Sequence, residues 1–259
     1  MRYALFPGGA RVRPSFALGV AMACGDDRPT VTDAVGAAVE FLHCASLVHD
    51  DLPCFDDAHE RRGKPSVHAR FGEATALLVG DGLIMLAFQT IADAAPAAGD
   101  RLGPILRIVS DSAGMPRGLV SGQAMESEEA CMIPAYHAAK TGALFEAAAA
   151  GGAIAAGGDV EIWREVGAKL GEAYQIADDI HDRAGTNGAL GKPTGQDERF
   201  GRPNSVDEHG LQGAVRVLKR LIAETVEAVP DNAEAASLRA LIGAQTERFV
   251  PKDLVTAAA

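Results

Sequence analysis

The stretch HDDLPCFDDAHERRG, residues 49–63, packs Asp50, Asp51, Asp56 and Asp57 into eight positions and follows them with Arg61 and Arg62. Like charges this close destabilise one another unless something positive stands among them. A hard divalent ion such as Mg2+ meets that need. It takes oxygen ligands, keeps several waters, and requires only one or two carboxylates when the phosphate oxygens of a substrate complete its shell. The adjoining guanidinium forks match phosphate oxygens bidentately, so carboxylate, metal, phosphate and arginine form a self-neutralising set. Taken alone, a solvated acidic turn explains the cluster equally well.

A second acidic stretch, YQIADDIHD at residues 174–182, puts Asp178 and Asp182 four apart. On a helix that spacing places both carboxylates on one face, a turn from each other. Asp50 and Asp56 are six apart, a spacing that regular helix sends to different faces. Pro53 resolves this, because its ring clashes with the carbonyl four residues back. The helix through Leu47 to Asp51 should end or kink there, letting the following turn carry Asp56 back towards Asp50. Both clusters therefore look like metal clamps at helix ends.

The elements that must position them read as helices. Apolar residues recur at helical spacing near 14–24, 31–50, 67–93, 100–125, 133–156, 160–182, 208–228 and 232–250. Alanine is abundant, aromatics make up only 5%, and few windows alternate in the manner of strands. Thr30 is a candidate N-cap, Pro96 a break, and the Gly-rich run from Arg183 to Ser205 a long loop, a feature that in compact domains is usually functional or disordered. With no internal repeat or low-complexity linker, one all-α domain over residues 1–259 is the simplest account.

The formal charge of −11 argues against nucleic acid or an anionic membrane surface as main partner. Cys24, Cys44, Cys54 and Cys131 have no CxxC or zinc-type spacing, which fits reduced thiols in a cytoplasmic setting. Neither a signal peptide nor a membrane span is evident. The nearest candidate, GALFEAAAAGGAIAAGG, carries Glu146 and reads as a tightly packed core helix.

Taken together, these residues resemble the trans-prenyltransferases, the isoprenyl diphosphate synthases, over essentially the whole chain, and most closely the bacterial geranylgeranyl diphosphate synthases of carotenoid pathways. The resemblance is carried, in the family's order, by GGARVRP, DDLPCFD followed by RRGKP and HARFGE, then GQAMESE, KTGALF, DDIHD and GKPTGQD. It implies an all-α homodimer whose two acidic helices face each other across a deep cavity. It also implies that Asp50, Asp56, Asp178 and Asp182 hold Mg2+ against the diphosphate of an allylic substrate, with Asp51 and Asp179 left open as ligands. Arg61, Lys140, Thr141, Gln175, Lys192 and, in the later loop, Arg202 match positions serving the allylic diphosphate. Arg13, His43 and Arg62 match contacts of the second substrate, isopentenyl diphosphate. Three departures stand out: Ala10 replaces a lysine of the usual GGKRxRP, Gln196 and Arg202 stand where lysines are common, and Glu126 replaces an Asp.

Product length in the family depends on what blocks the cavity along the helix leading into the first acidic motif, here EFLHCASLVHDD. Ala45 and Ser46 are small where shorter-product relatives present an aromatic. A helical turn of ~5.4 Å is comparable to one isoprene unit, so the next floor should come from Phe41 and Leu42 with Met85 and Phe88. That predicts a C20 product, with C15 as runner-up. The alternative is that Ala45 and Ser46 merely let two helices approach.

Three rival classes are weighed. A terpene cyclase would carry a different second metal motif from DDIHD. A phosphohydrolase using His49–Asp50 would need supporting histidine spacing, which the sequence lacks. A non-catalytic subunit of a heteromeric synthase would not need to tolerate two acidic clusters.

Overall fold

The computed structural model describes residues 1–6, 8–128, 132–184, 204–232 and 234–249. The chain opens with α1 (Arg2–Leu5), α2 (Val12–Ala23) and α3 (Pro29–Asp50). A two-stranded ribbon, β1 (Glu60–Arg61) and β2 (Lys64–Pro65), precedes α4 (Val67–Phe71), α5 (Glu73–Asp93), α6 (Ala95–Ala98), α7 (Leu102–Ala113) and α8 (Leu119–Met125). Then come α9 (Ile133–His137), a π-helical turn at Ala138–Gly142, α10 (Ala143–Ala156), α11 (Val160–Ala184), α12 (Ser205–Ala228) and α13 (Ala236–Phe249). The all-α expectation holds, the ribbon being the one strand pairing among the described residues.

At the centre stands α10, buried along nearly its whole length, as its Ala/Gly run predicts. Small residues bring its neighbours in close. A Cβ on Gly151 would lie 2.7 Å from a methyl of Val35 on α3, and one on Gly152 2.4 Å from the Ala17 carbonyl of α2. Around it pack α2, α3, α7 and α11, with α5 laid along α3 and α12 along α11. Phe16, Leu42, Ile105, Leu144, Phe145 and Leu170 are buried in the shared core.

The boundaries depart from the sequence reading where local chemistry overrides apolar periodicity. α3 starts at Pro29 rather than after a Thr30 cap, because proline's fixed φ suits the first helical position. The 67–93 block divides at Gly72, whose φ of +86° favours glycine, and Ser66 caps the first piece by accepting from the Ala69 amide.

Among the described residues two helices, α3 and α5, have the length and apolarity to cross a membrane, and the Ala/Gly helix singled out from sequence is not one of them. For α3 that apolarity serves the core, since 67% of its window is buried. For α5 the share is only 28%, and Leu77, Leu78 and Met85 face outward.

Candidate active site

One cavity of about 520 Å3 receives Asp50 and Asp56 from the first acidic stretch and Asp178 from the second. The Pro53 argument accounts for the first pair. α3 stops at Asp50, the Leu52 amide donates to the His49 carbonyl (3.0 Å), and the Asp56 amide donates back to the Asp50 carbonyl (2.9 Å). Asp178 reaches the cavity on α11, which packs against α10 and α12.

The second aspartate of each pair does not line the cavity and is engaged elsewhere. Asp51 is buried and accepts from Arg61 Nε at 3.0 Å. Arg61 reaches it from the ribbon, whose tight turn has positive φ at both Arg62 and Gly63. Burial, only partly opposed by that guanidinium, pushes the Asp51 carboxyl up to about 6. Asp179 accepts from the Ser205 amide (2.7 Å) and from Gln175 Nε2 (2.9 Å), while the Gln175 amide oxygen accepts from the Thr141 hydroxyl (2.5 Å). It fastens the start of α12 to α11 and orients Gln175. Asp182, expected beside Asp178 as a ligand, is 4% exposed and does not line the cavity, a correction to the four-residue spacing argument. The α11 face at Asp182 is covered by protein instead of opening to the cavity.

Lys140 and Thr141 sit on the π-helical turn, a form common at functional sites, and both line the cavity. Gly122 permits this: a Cβ there would lie 2.5 Å from the Lys140 backbone nitrogen. Lys140 hydrogen-bonds Glu126, the residue found in place of an Asp, and stands 4.0 Å from Asp50 Oδ2. Glu126 also accepts from the Tyr136 hydroxyl (2.6 Å) and Gln123 Nε2 (2.8 Å). Burial raises the Asp50 carboxyl; Lys140 pulls against it, and Asp56 and Glu126 add to it.

A second group of cations lies next to this one. Arg13 is 8% exposed, its guanidinium 4.4 Å from the Phe145 ring centroid and 5.4 Å from that of Tyr174. Its Nε has no hydrogen-bond partner, and burial lowers its pKa. An arginine stacked on aromatics with an unpartnered buried nitrogen suits an anion. Burial first, then Arg13, Arg62, Arg61 and Arg11, hold His43 well below its usual range, so it is a neutral hydrogen-bonding group at pH 7. Arg62 donates to the Gly8 carbonyl (3.2 Å) and lies over Gly9, where a Cβ would meet the guanidinium at 2.6 Å. Ala10 is exposed, and its neighbour Arg11 is bonded to Glu40 and the Leu5 carbonyl. Lys192, Gln196 and Arg202 lie outside the described residues, as does Cys131.

Away from the carboxylates the lining is apolar: Leu42, Ala45, Leu47, Ile84, Leu119 and Leu144, with Ser46 among them. Of the predicted floor residues only Leu42 is present. Met85 is 66% exposed on the far side of α5, and Phe41 and Phe88 pack into the core without lining the cavity. Ile84 takes the place assigned to Met85. One residue is ~100° of helical rotation, and nothing in the apolar run GLIMLAF fixes that phase. Tyr136 and Gln123 were likewise missed: both bond Glu126 at the end of α8, Tyr136 from α9 and Gln123 from three residues earlier on α8 itself.

The donor set fits Mg2+. Asp50, Asp56 and Asp178 offer hard oxygen donors from half-buried positions on one cavity, and Asp56 repels Asp50. Among the described residues no three His, Cys, Asp or Glu side chains close around one point. That is the pattern of an ion completed by water and substrate phosphate, not of an all-protein cage. It also leaves His49 without the imidazole partners a phosphohydrolase centre needs, its Nε2 lying 3.3 Å from the Leu77 carbonyl.

A helical bundle with two acidic clusters, one at the end of α3 and one on α11, on a partly apolar cavity flanked by cations defines a prenyltransferase. The chain belongs to the polyprenyl synthetase family, whose model matches residues 1–240. It is 49% identical over 249 residues to the geranylgeranyl diphosphate synthase of Cereibacter sphaeroides, covering 96% of this chain and 86% of the relative. It is 46% identical over 240 residues to the enzyme of the same name from Rhodobacter capsulatus, covering 93% and 83%. A crystal structure of the Helicobacter pylori geranyltransferase complexed with magnesium and isoprenyl diphosphate is similar at a TM-score of 0.84 and 28% identity, covering 95% of this chain and 86% of that one.

Proposed function

We propose that the protein condenses isopentenyl diphosphate with an allylic diphosphate to make geranylgeranyl diphosphate, with Mg2+ held by Asp50, Asp56 and Asp178. The observation that carries this is one cavity whose lining joins those three carboxylates to an apolar set that includes Ala45. Its two relatives named geranylgeranyl diphosphate synthase support the C20 product over C15.

The allylic C–O bond breaks with its electron pair passing to the diphosphate. Lys140 and Arg61 stabilise the charge developing there, and Gln175, steadied by Asp179, positions the same group. When bound, Mg2+ supplies Lewis-acid stabilisation of that leaving group. Arg13, Arg62 and neutral His43 hold isopentenyl diphosphate so that its double bond attacks the allylic carbon. The new cation then loses a proton to the departed diphosphate, and no side-chain nucleophile is required. The dry apolar wall protects the allylic cation from water.

The outward face of α5, with Leu77, Leu78 and Met85, is the surface we assign to a second copy of the chain. The free thiols of Cys24, Cys44 and Cys54 favour a reducing, cytoplasmic setting. Incubating the protein with Mg2+, isopentenyl diphosphate and each allylic diphosphate, then sizing the dephosphorylated alcohols, tests the function. Geranylgeraniol is expected. Farnesol as the end product, a cyclic hydrocarbon, or no product would refute the assignment.

A further inference from the structure

We infer that Leu5, on the N-terminal helix α1, is a determinant of product length: it closes the apolar end of the cavity from behind Ala45. The inference rests on the synthase reading above.

Ala45 and Ile84 both line the cavity. Both also belong to a small hydrophobic cluster separate from the main core, built by Leu5, Cys44, Ala45 and Leu83 with Ala4, Phe41, Val79 and Ile84 against it. Leu5 itself is not part of the lining. Leu5 therefore belongs to the packing that backs these two lining residues, and it is brought there by a different segment of chain.

That segment is fastened in place. The Arg11 guanidinium bonds the Leu5 carbonyl and Glu40 of α3 together. At the other end of α1 the Tyr3 hydroxyl donates to the Pro65 carbonyl (2.7 Å), and Arg70 lies 4.7 Å from the Tyr3 ring centroid. A helix of four residues has little stability of its own, so these contacts, with Leu5 at 8% exposure, are what hold it against α3. Their combined effect is to keep Leu5 behind Ala45.

A growing chain that reaches Ala45 meets a small side chain and then Leu5. Truncating Leu5 removes part of this backing, and the space released lies in the cluster that Ala45 and Ile84 share with the cavity lining. Interiors collapse only partly around such a deletion, so room persists for the end of a longer product.

The test is product analysis of Leu5→Ala beside the wild type, with Mg2+, isopentenyl diphosphate and farnesyl diphosphate. Val67→Ala, in the neighbouring cluster with Val48, Leu52 and Ala76, serves as a control for generic destabilisation. Leu5→Ala should move the main product up by one five-carbon unit relative to wild type, and Val67→Ala should leave it unchanged. Leu5→Met, which keeps the volume, should restore the wild-type length. An unchanged distribution for Leu5→Ala, or the same lengthening in Val67→Ala, would overturn the inference while leaving the C20 assignment intact. A wild type that makes no prenyl diphosphate would overturn both.

Discussion

Lys140 Nζ stands 4.0 Å from Asp50 Oδ2 while hydrogen-bonded to Glu126, so one ammonium divides its charge between two carboxylates. Asp56 and Asp178 share the cavity, and the protein's own cations therefore leave Asp50 short of compensation. Burial raises its pKa above the ordinary 3.8.

The consequence for stability has a definite sign. An acid whose folded pKa is raised favours the folded state at low pH, and that contribution is lost as pH rises through the folded value. Asp50→Asn should therefore raise the thermal midpoint of the metal-free protein at pH 7. The advantage should shrink as pH falls and the wild-type carboxyl takes up its proton. Condensation should fall by about a hundredfold or more. Melting curves of both proteins at pH 7 and below, without metal, check the prediction; destabilisation at pH 7 would contradict it.

Ala45 is 1% exposed and lines the cavity, so Ala45→Tyr should shorten the product from C20 to C15. Ile84→Phe should do the same from α5, whereas Met85→Phe, on the outward face, should not. Chromatography of the dephosphorylated alcohols reads all three. A C20 product from Ala45→Tyr would remove the chain-length argument.

Gly9 has a φ of +86°, and a Cβ there would meet the Arg62 guanidinium at 2.6 Å. Gly9→Ala should cost about 1 kcal/mol of backbone strain and displace Arg62. The expected kinetic signature is a raised KM for isopentenyl diphosphate with the KM for the allylic substrate little changed. Equal rises in both would show that Arg62 does not separate the two diphosphates.

Asp179 acts through other groups. Asn at this position cannot accept at both ends, so Asp179→Asn should free either Gln175 or the Ser205 amide. A loss of about tenfold to a hundredfold in kcat/KM for the allylic substrate follows, with the fold retained by circular dichroism. Full activity would reduce Asp179 to a helix fastener.

What could be read from sequence was what is local. Pro53 ends α3 by a clash with its own neighbours, so the return of Asp56 towards Asp50 was legible without tertiary information. The Ala/Gly run of α10 announced a close-packed centre. The pairing of Arg61 with Asp51 was not legible, because it depends on a hairpin two residues a side whose strands carry no strand-like pattern. Asp182 was misjudged because helical spacing states which residues share a face, not how much of that face a cavity reaches. Ile84 was missed for want of one residue of helical phase, and Leu5 because its partners lie far along the chain.

The account stands on two acidic helix ends gripping one diphosphate through shared cations. Anomalous diffraction from crystals grown with Mn2+ and an unreactive thio-analogue of the allylic diphosphate measures this directly. Peaks should appear against Asp50 and Asp56 and against Asp178, all bridged by the same diphosphate. Peaks on one side only, or a diphosphate bound without metal at the arginines, would contradict it.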